Sequence, residues 1–436
     1  MKTIKQISNI LLVTTIFNLT ICSVNGQERR EKFEKSYQVT STGEFNFSCY
    51  DTDLKVNTWQ KNEIKLTGEI IINGGDKEDQ DKLIEVFKNP EVTENSNSLT
   101  IETNMAKSTI VIGPFKKTTL VNGEIIKVDK YKANYTLWIP ESIAFNLKSK
   151  YNNIDIATLT GKVGFELYDV DLTMLSYGKD SKLNMKYSSA SIGKGGDAIL
   201  DIYDSEIEAI EMDNVEIKSK YSEIEIESIN TLDFNSYDDD ITIGKINSLN
   251  TEAKYSNYEI NGDMNNCLID FYDSDISAKN IDKLVFSGKY SSVEALNVNS
   301  IKINTIYDSN ITLAQVGEFS CVESKYDEFK FESISKSISF DNAYEIYLTV
   351  GKVGKDFKNF KGEFKYGKVE LPLDPTTEFS LKFQTTYGDV DFPKNRLQIT
   401  DMNFDDNKKF FDGKTIDNPP CKIEFVAYET DFDFEL

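Results

Sequence analysis

From residue 150 to residue 326 the chain spells tyrosine in two ways, Lys-Tyr and Tyr-Asp, in alternation, and no other feature constrains the fold as much. Counted from tyrosine to tyrosine, the steps from Tyr151 to Tyr326 vary between 16 and 19 residues. The apolar residues repair the count. Leu183, Met185, Ala190 and Ile192 flank Tyr187, and Ile224 and Ile226 follow Tyr221 at the same offsets; around Tyr203 the set Leu200, Ile202, Ile207 and Ala209 is displaced by one. The residue equivalent to Tyr187 is therefore Asp204, not Tyr203. Aligned on Tyr151, Asp169, Tyr187, Asp204, Tyr221, Asp238, Tyr255, Asp273, Tyr290, Asp308 and Tyr326, every step becomes 17 or 18 residues.

Apolar residues at every second position mark strands. The small polar residues after the aligned position, such as Ser188, Ser205, Asp239, Ser274 and Gly367, mark turns. A further apolar position, as at Leu159, Ile229, Ile246 and Val298, adds a third short face. A period this short cannot bury its own apolar side chains, so each unit must stack on its neighbours. The expected fold is an all-β, single-stranded parallel β-solenoid with coils of 17–18 residues. Its coils should lie about 4.8 Å apart, with the right-handed winding usual for parallel crossovers.

In this frame one column reads Tyr, Asp, Tyr, Asp and the column before it Lys, Tyr, Lys, Tyr. Tyr221 lies between Asp204 and Asp238, and Lys220 between Tyr203 and Tyr237. An unbroken column of Asp or Lys would set like charges side by side on neighbouring strands, which is destabilising. Alternation spaces them and places each lysine diagonally beside an aspartate. The primary reading is a corner ladder that fixes register. The second reading is a surface platform for sugar or peptide, made of Tyr203, Asp204, Lys220, Tyr221, Tyr237, Asp238, Lys254, Tyr255, Tyr272 and Asp273.

The ends follow the same scheme. Phe47, Cys49, Tyr50, Asp51, Leu54 and Val56 repeat the Tyr-Asp unit with Trp59 on the third face, and Phe425, Ala427, Tyr428, Glu429, Phe432 and Phe434 repeat it again. Lys365-Tyr366-Gly367 and Thr386-Tyr387-Gly388 are further coils of the other type. Residues 76–89 predict a short helix, with Asp76 as cap, Leu83, Ile84 and Phe87 as its apolar face and Pro90 as its stop. Its expected role is to cover the open end of the solenoid. The expected organisation is an export signal over 1–26, an N-terminal solenoid part with the helix over 27–150, regular coils over 151–393, and a loop and final coil over 394–436.

The export signal rests on Lys2 and Lys5, the apolar run Ile10–Ile21 and the small residues before Gln27. Cys22 offers lipid attachment as an alternative, although Ile21 stands where that pattern calls for a small residue. Periplasm, cell surface or extracellular space is the expected location, without a transmembrane segment in the mature chain. Of the cysteines that remain, Cys267 and Cys321 lie three coils apart, on the order of 14 Å, beyond the reach of a disulfide. Cys49 and Cys421 belong to opposite ends, so all four are expected as free thiols. Asn46, Asn134 and Asn310 head N-glycosylation sequons, relevant only if the source glycosylates asparagine.

A formal charge of −23, dispersed along the chain, repels phosphate backbones and excludes nucleic acid as a partner. The sequence has no histidine, the commonest general base, and arginine occurs only at 29, 30 and 396, so only lysines remain in the central coils to supply the cation that a polysaccharide lyase needs. A carboxylate pair for glycoside hydrolysis is expected by chance among 72 acidic residues. Asp238-Asp239-Asp240 and Asp273-Ser274-Asp275 supply hard oxygen ligands at turns, but the glycine-rich nonapeptide of calcium β-rolls is absent. The expectation is a solvated acidic corner and no cofactor, with calcium as the weak alternative.

The early strand pair LKVNTWQKNEIKLTGEI (54–70), the charged helix followed by Leu-Thr-Ile-Glu (99–102), YTLWIPESIAFNLKSKYNNIDI (135–156) and the coils KYGKVEL and TYGDVDF (365–371, 386–392) resemble the bacterial "putative adhesin" domains of unknown function, relatives of the head domain of autotransporter-type adhesins. The resemblance implies an exported right-handed β-solenoid of the cell envelope without catalysis. Here Ser or Asp replaces the family's usual turn glycine in the central coils. The functional expectation is a non-enzymatic adhesin, binding or structural protein whose partner is a cell-surface glycan, a protein or a second copy. An extracellular polysaccharide-processing enzyme is the alternative.

Overall fold

The structure is a computed structural model that describes residues 28–112 and 115–435; the expected export signal lies outside them. Stacked parallel coils form a β-solenoid, as the repeat requires. In the coil from Tyr221 to Tyr237, Ile224, Ile226, Ile229, Leu232 and Phe234 all point inward and are buried. Each lies in register with its equivalents above and below: Ile224 between Ile207 and Ile241, Leu232 between Val215 and Leu249. Each such side chain contributes roughly 1.5–3 kcal/mol on burial. That burial is complete only because both neighbouring coils are present.

The two tyrosine spellings fall where the one-residue shift places them. Tyr203 pairs with Lys220 and Lys220 with Tyr237, which sets Tyr221 between Asp204 and Asp238. What the sequence did not reveal is the backbone there. Every aligned residue from Asp51 to Tyr326 is left-handed, with φ between 48° and 65°, as are Glu345, Tyr366, Tyr387 and Glu429. Each corner is one left-handed residue that turns the strand from one face to the next. The small polar residues after it, expected as turn formers, are also buried: Ser188, Ser205, Asp239 and Ser274 all point inward.

Both ends depart from pure coil-on-coil stacking. Strands Glu44–Tyr50 and Thr52–Trp59 form a parallel coil on Ala144–Thr158, with Phe47 over Leu147 and Leu54 over Ile154. Beyond them Ser98–Glu102 and Lys130–Pro140 still run parallel, but Glu63–Asn73 and then Arg29–Gln38 are added antiparallel. The helix spans Lys77–Lys88, capped by the Asp76 carboxylate, which accepts a hydrogen bond from the Asp79 amide at 2.8 Å. It buries Leu83, Ile84 and Phe87, as expected, and seats the Phe87 ring against Phe33 and Tyr135 at centroid distances of 5.0 and 5.8 Å. It thus covers the antiparallel end strands.

At the other end the strand Cys421–Asp433, last in the sequence, is not last in the stack. It lies between Asn359–Glu370 and Phe379–Thr386, parallel to both. The alternation demands this. Tyr366 and Tyr387 belong to units of the same type, and the Tyr428-Glu429 unit supplies the missing intermediate rung. Residues 398–404 and 408–414, read as loop or cover from the sequence, form a hairpin that adds antiparallel to Phe379–Thr386. No helix among the described residues is long and apolar enough to cross a membrane.

Candidate functional site

Because the left-handed corner column and the column before it take turns in supplying tyrosine, every rung presents one phenol ring from alternating origins. The rings meet edge to face. Fifteen of them form an unbroken ladder running through Tyr151, Tyr168, Tyr187, Tyr203, Tyr221, Tyr237, Tyr255, Tyr272, Tyr290, Tyr307, Tyr326, Tyr344, Tyr366, Tyr428 and Tyr387, with centroids 5.2–5.8 Å apart and interplanar angles of 69–88°. A single tyrosine column would repeat one ring orientation at the coil spacing. Two alternating columns produce the perpendicular contact that aromatic quadrupoles favour. At about 4.8 Å per rung the ridge is roughly 65–70 Å long.

Of the ten residues singled out from the sequence, the ladder contains the five tyrosines, Tyr203, Tyr221, Tyr237, Tyr255 and Tyr272; Asp204, Lys220, Asp238, Lys254 and Asp273 alternate with them in the same two columns. The corner-column rings are the more accessible: Tyr151 is 54% exposed, Tyr221 46% and Tyr387 58%. Partial desolvation, and then the neighbouring phenols and corner aspartates, push the Tyr187, Tyr221, Tyr255 and Tyr290 hydroxyls above their ordinary pKa. The lysines differ from expectation. None of Lys186, Lys220, Lys254 and Lys289 forms an ion pair with a corner aspartate among the described residues. Where they engage, ladder lysines lie over rings: Lys220 Nζ is 5.6 Å from the Tyr237 centroid, and Lys325 Nζ is 4.8 and 5.2 Å from Tyr326 and Tyr344. Cation–π attraction, not diagonal charge pairing, accounts for the lysine at each such rung.

Behind the tyrosines runs a second ladder, inside the wall. The Ser205 hydroxyl accepts from the Ser188 amide at 3.0 Å and donates to the Tyr203 carbonyl at 2.9 Å. The motif repeats through Ser222, Ser256, Ser274, Ser291 and Ser309. It satisfies the amide that each left-handed turn aims inward. At two rungs aspartate replaces serine. Asp239 is 2% exposed and accepts from the Ser219 and Ser236 hydroxyls and the Ser222 and Tyr237 amides; Asp327 is 1% exposed and accepts from the Ser324 hydroxyl and the Ser309 and Lys325 amides. Desolvation raises both carboxyls, Asp327 to about 6, against the pull of those hydrogen bonds.

This corrects the solvated acidic corner expected at 238–240. Its middle carboxylate is internal and committed to four donors, while Asp238 and Asp240 stay outside. No cluster of three or more acidic or sulfur ligands that could hold a metal occurs among the described residues. The four cysteines among the described residues, Cys49, Cys267, Cys321 and Cys421, are buried free thiols. Burial pushes the thiol pKa of Cys49 up to about 11 and that of Cys421 up to about 12.

Two hollows flank the rungs. One of about 300 Å³ is walled by Lys220, Tyr237, Lys254, Tyr272, Glu252 and Asp270, directly beside the ladder. A larger, open groove of about 700 Å³ lies at another corner, where Ala278, Ala295 and Gly351 leave room between Glu259, Glu294 and Lys330. Sequence reasoning missed this groove, whose only signal is the small residues in successive coils. It also passed over the rung Tyr344-Glu345, which the alternation itself supplies between Tyr326 and Tyr366.

No family model matches the chain, and no curated protein matches it. Among solved structures, a "putative cell adhesion protein" from Clostridium sporogenes is similar at 9% identity, over 93% of this chain and 99% of that one, with a TM-score of 0.18.

Proposed function

We propose that the chain is a non-catalytic rod of the cell envelope whose tyrosine ridge is its contact surface for a glycan or protein partner. The observation that carries this reading is the ladder: a long file of half-exposed phenols flanked by lysine and aspartate, with the 300 Å³ hollow between Lys220, Lys254, Tyr237 and Tyr272 as its recessed point. Aromatic rings with polar tips give large contact area at low entropic cost, which is why recognition surfaces concentrate them. Location in the envelope rests on residues 1–26 read as an export signal.

The test is binding of the full chain to arrayed glycans and to cell-surface fractions. Tyr237→Ala with Tyr272→Ala should reduce binding at least tenfold beyond any change traced to unfolding, whereas Leu175→Ala, an exposed residue off the ladder, should leave it unchanged. Equal binding by all variants removes the ridge from the account. Glycan hydrolysis, the competing reading, would use the larger groove. Glu259 and Glu294 lie two coils apart in the larger groove, roughly 10 Å by coil spacing, close to the separation of an inverting pair. Both are exposed, so burial does not separate an acid from a base there. Release of reducing sugar from any polysaccharide that is abolished by Glu294→Gln would replace the binding account with the enzymatic one.

A further inference from the structure

We propose that the ladder is a modification site, at which a peroxide-driven haem peroxidase couples phenols of adjacent coils into dityrosine. Adjacent rings sit with centroids 5.2–5.8 Å apart, edge to face, so each ring already borders its neighbour. Each ring belongs to a fixed rung, so the partner of any phenoxyl radical is held at contact distance. That placement converts a bimolecular encounter into an intramolecular one. The corner-column rings are exposed enough for an external oxidant to reach, and their partial exposure leaves the small rotation that bonding requires.

The step balances. Each of two phenols gives up one electron and one proton. The two radicals join through their ortho carbons, and the two ring hydrogens displaced there move to the oxygens and restore both aromatic rings. The two electrons and two protons reduce one hydrogen peroxide to two waters. The thiols, which would compete as radical sinks, are withdrawn from the surface: all four described are buried and held protonated, Cys49 with a pKa near 11, and histidine is absent. Each link would tie one coil to the next and, from Tyr151 to Tyr326, close a loop of about one repeat, restricting the unfolded chain as a disulfide does. The inference stands whatever the ridge binds.

The structure contains its own control. Tyr347 is 55% exposed, as open as the corner ring Tyr151, but lies outside the ladder. The experiment exposes the full chain, at high dilution, to a haem peroxidase and hydrogen peroxide, followed by peptide mapping of dityrosine. Expected are links within one chain between adjacent rungs, such as Tyr203–Tyr221 and Tyr255–Tyr272, with Tyr347 uncoupled and the thermal midpoint raised. Tyr221→Phe keeps the ring but removes its phenol, so links at that residue should disappear while Tyr255–Tyr272 persists. Absence of dityrosine under conditions that couple free tyrosine, links found only between copies, or equal coupling of Tyr347 would each overturn the proposal.

Discussion

Tyr221 occupies a backbone conformation, φ 59°, that costs an L-residue other than glycine about 1–2 kcal/mol. Its offset is visible. The ring meets Tyr203 at 5.7 Å and Tyr237 at 5.6 Å, contacts worth roughly 0.5–1.5 kcal/mol each beyond area burial. Tyr221→Ala keeps the strain and loses both contacts, so it should destabilise by about 2 kcal/mol in thermal or urea melts. Tyr221→Phe should be close to neutral, and Tyr221→Gly should fall between Phe and Ala because it relieves the strain. Equal effects of Ala and Gly would mean that the left-handed corner is not where the energy lies. A second prediction concerns the buried Asp327. Its folded pKa, about 6, lies above the unfolded value, so its contribution is most favourable below about pH 4, declines as pH rises toward 6 and is constant above. The decline is roughly 3 kcal/mol. Asp327→Asn lacks that titration, so its stability relative to the parent should rise between pH 4 and pH 7.5; a difference independent of pH contradicts the burial argument. The tyrosine columns were legible from the sequence because apolar spacing carries register. The left-handed backbone was not, because tyrosine is a poor resident of that region and only the fold's rotation between faces demands it. The serines were read as turn formers, and their burial, for the same reason, was not legible.

At the scale of the element, the helix and the terminal strand show opposite degrees of legibility. Cap, apolar spacing and proline stop are all local, and the helix appears within one residue of the span they define. The position of Cys421–Asp433 is a long-range property, and an apolar pattern shared by every coil suits any order of stacking. Only the alternation of types shows that a Tyr-Glu unit must separate Tyr366 from Tyr387. The consequence is mechanical: Phe425 stacks on Phe432 at 3.9 Å and on Phe383 at 5.4 Å, and reaches Phe360 at 6.2 Å, so this strand joins coils on both sides. A chain ending at Pro420 should lose hydrogen-exchange protection not only in the missing rung but throughout Phe379–Thr386 and 398–414, while the coils from 151 to 326 stay protected. Retained protection in Phe379–Thr386 would show that it does not depend on the inserted strand. At the opposite end, Phe87→Ala should cost about 3–5 kcal/mol in the stability of the end sheet, measured as faster exchange in Glu63–Asn73 and Lys130–Pro140. An unchanged rate there would separate the helix from the end it covers.

As a whole the molecule is a one-dimensional stack in which each coil touches only its neighbours, capped at both ends by antiparallel strands. Stability in such an array is close to a sum of coil and interface terms, and a charge of −23 spread along it adds self-repulsion. Moderate salt should therefore raise the thermal midpoint by screening; a midpoint that falls or stays level with salt would contradict this. The whole account depends on neighbouring coils running parallel in a single register, including the pair 359–370 and 421–433, which is remote in sequence. Disulfide trapping tests that directly, because the four described native thiols are buried and the chosen positions are exposed register partners: Asp201 with Lys218, Glu208 with Glu225, and Lys368 with Asp431. Mild oxidation of the three double-cysteine variants should close a bridge within one chain in each. An antiparallel hairpin could satisfy at most one of the first two pairs, so failure of either of these, or of the Lys368–Asp431 pair, would contradict the parallel stack and the tyrosine ladder built on it.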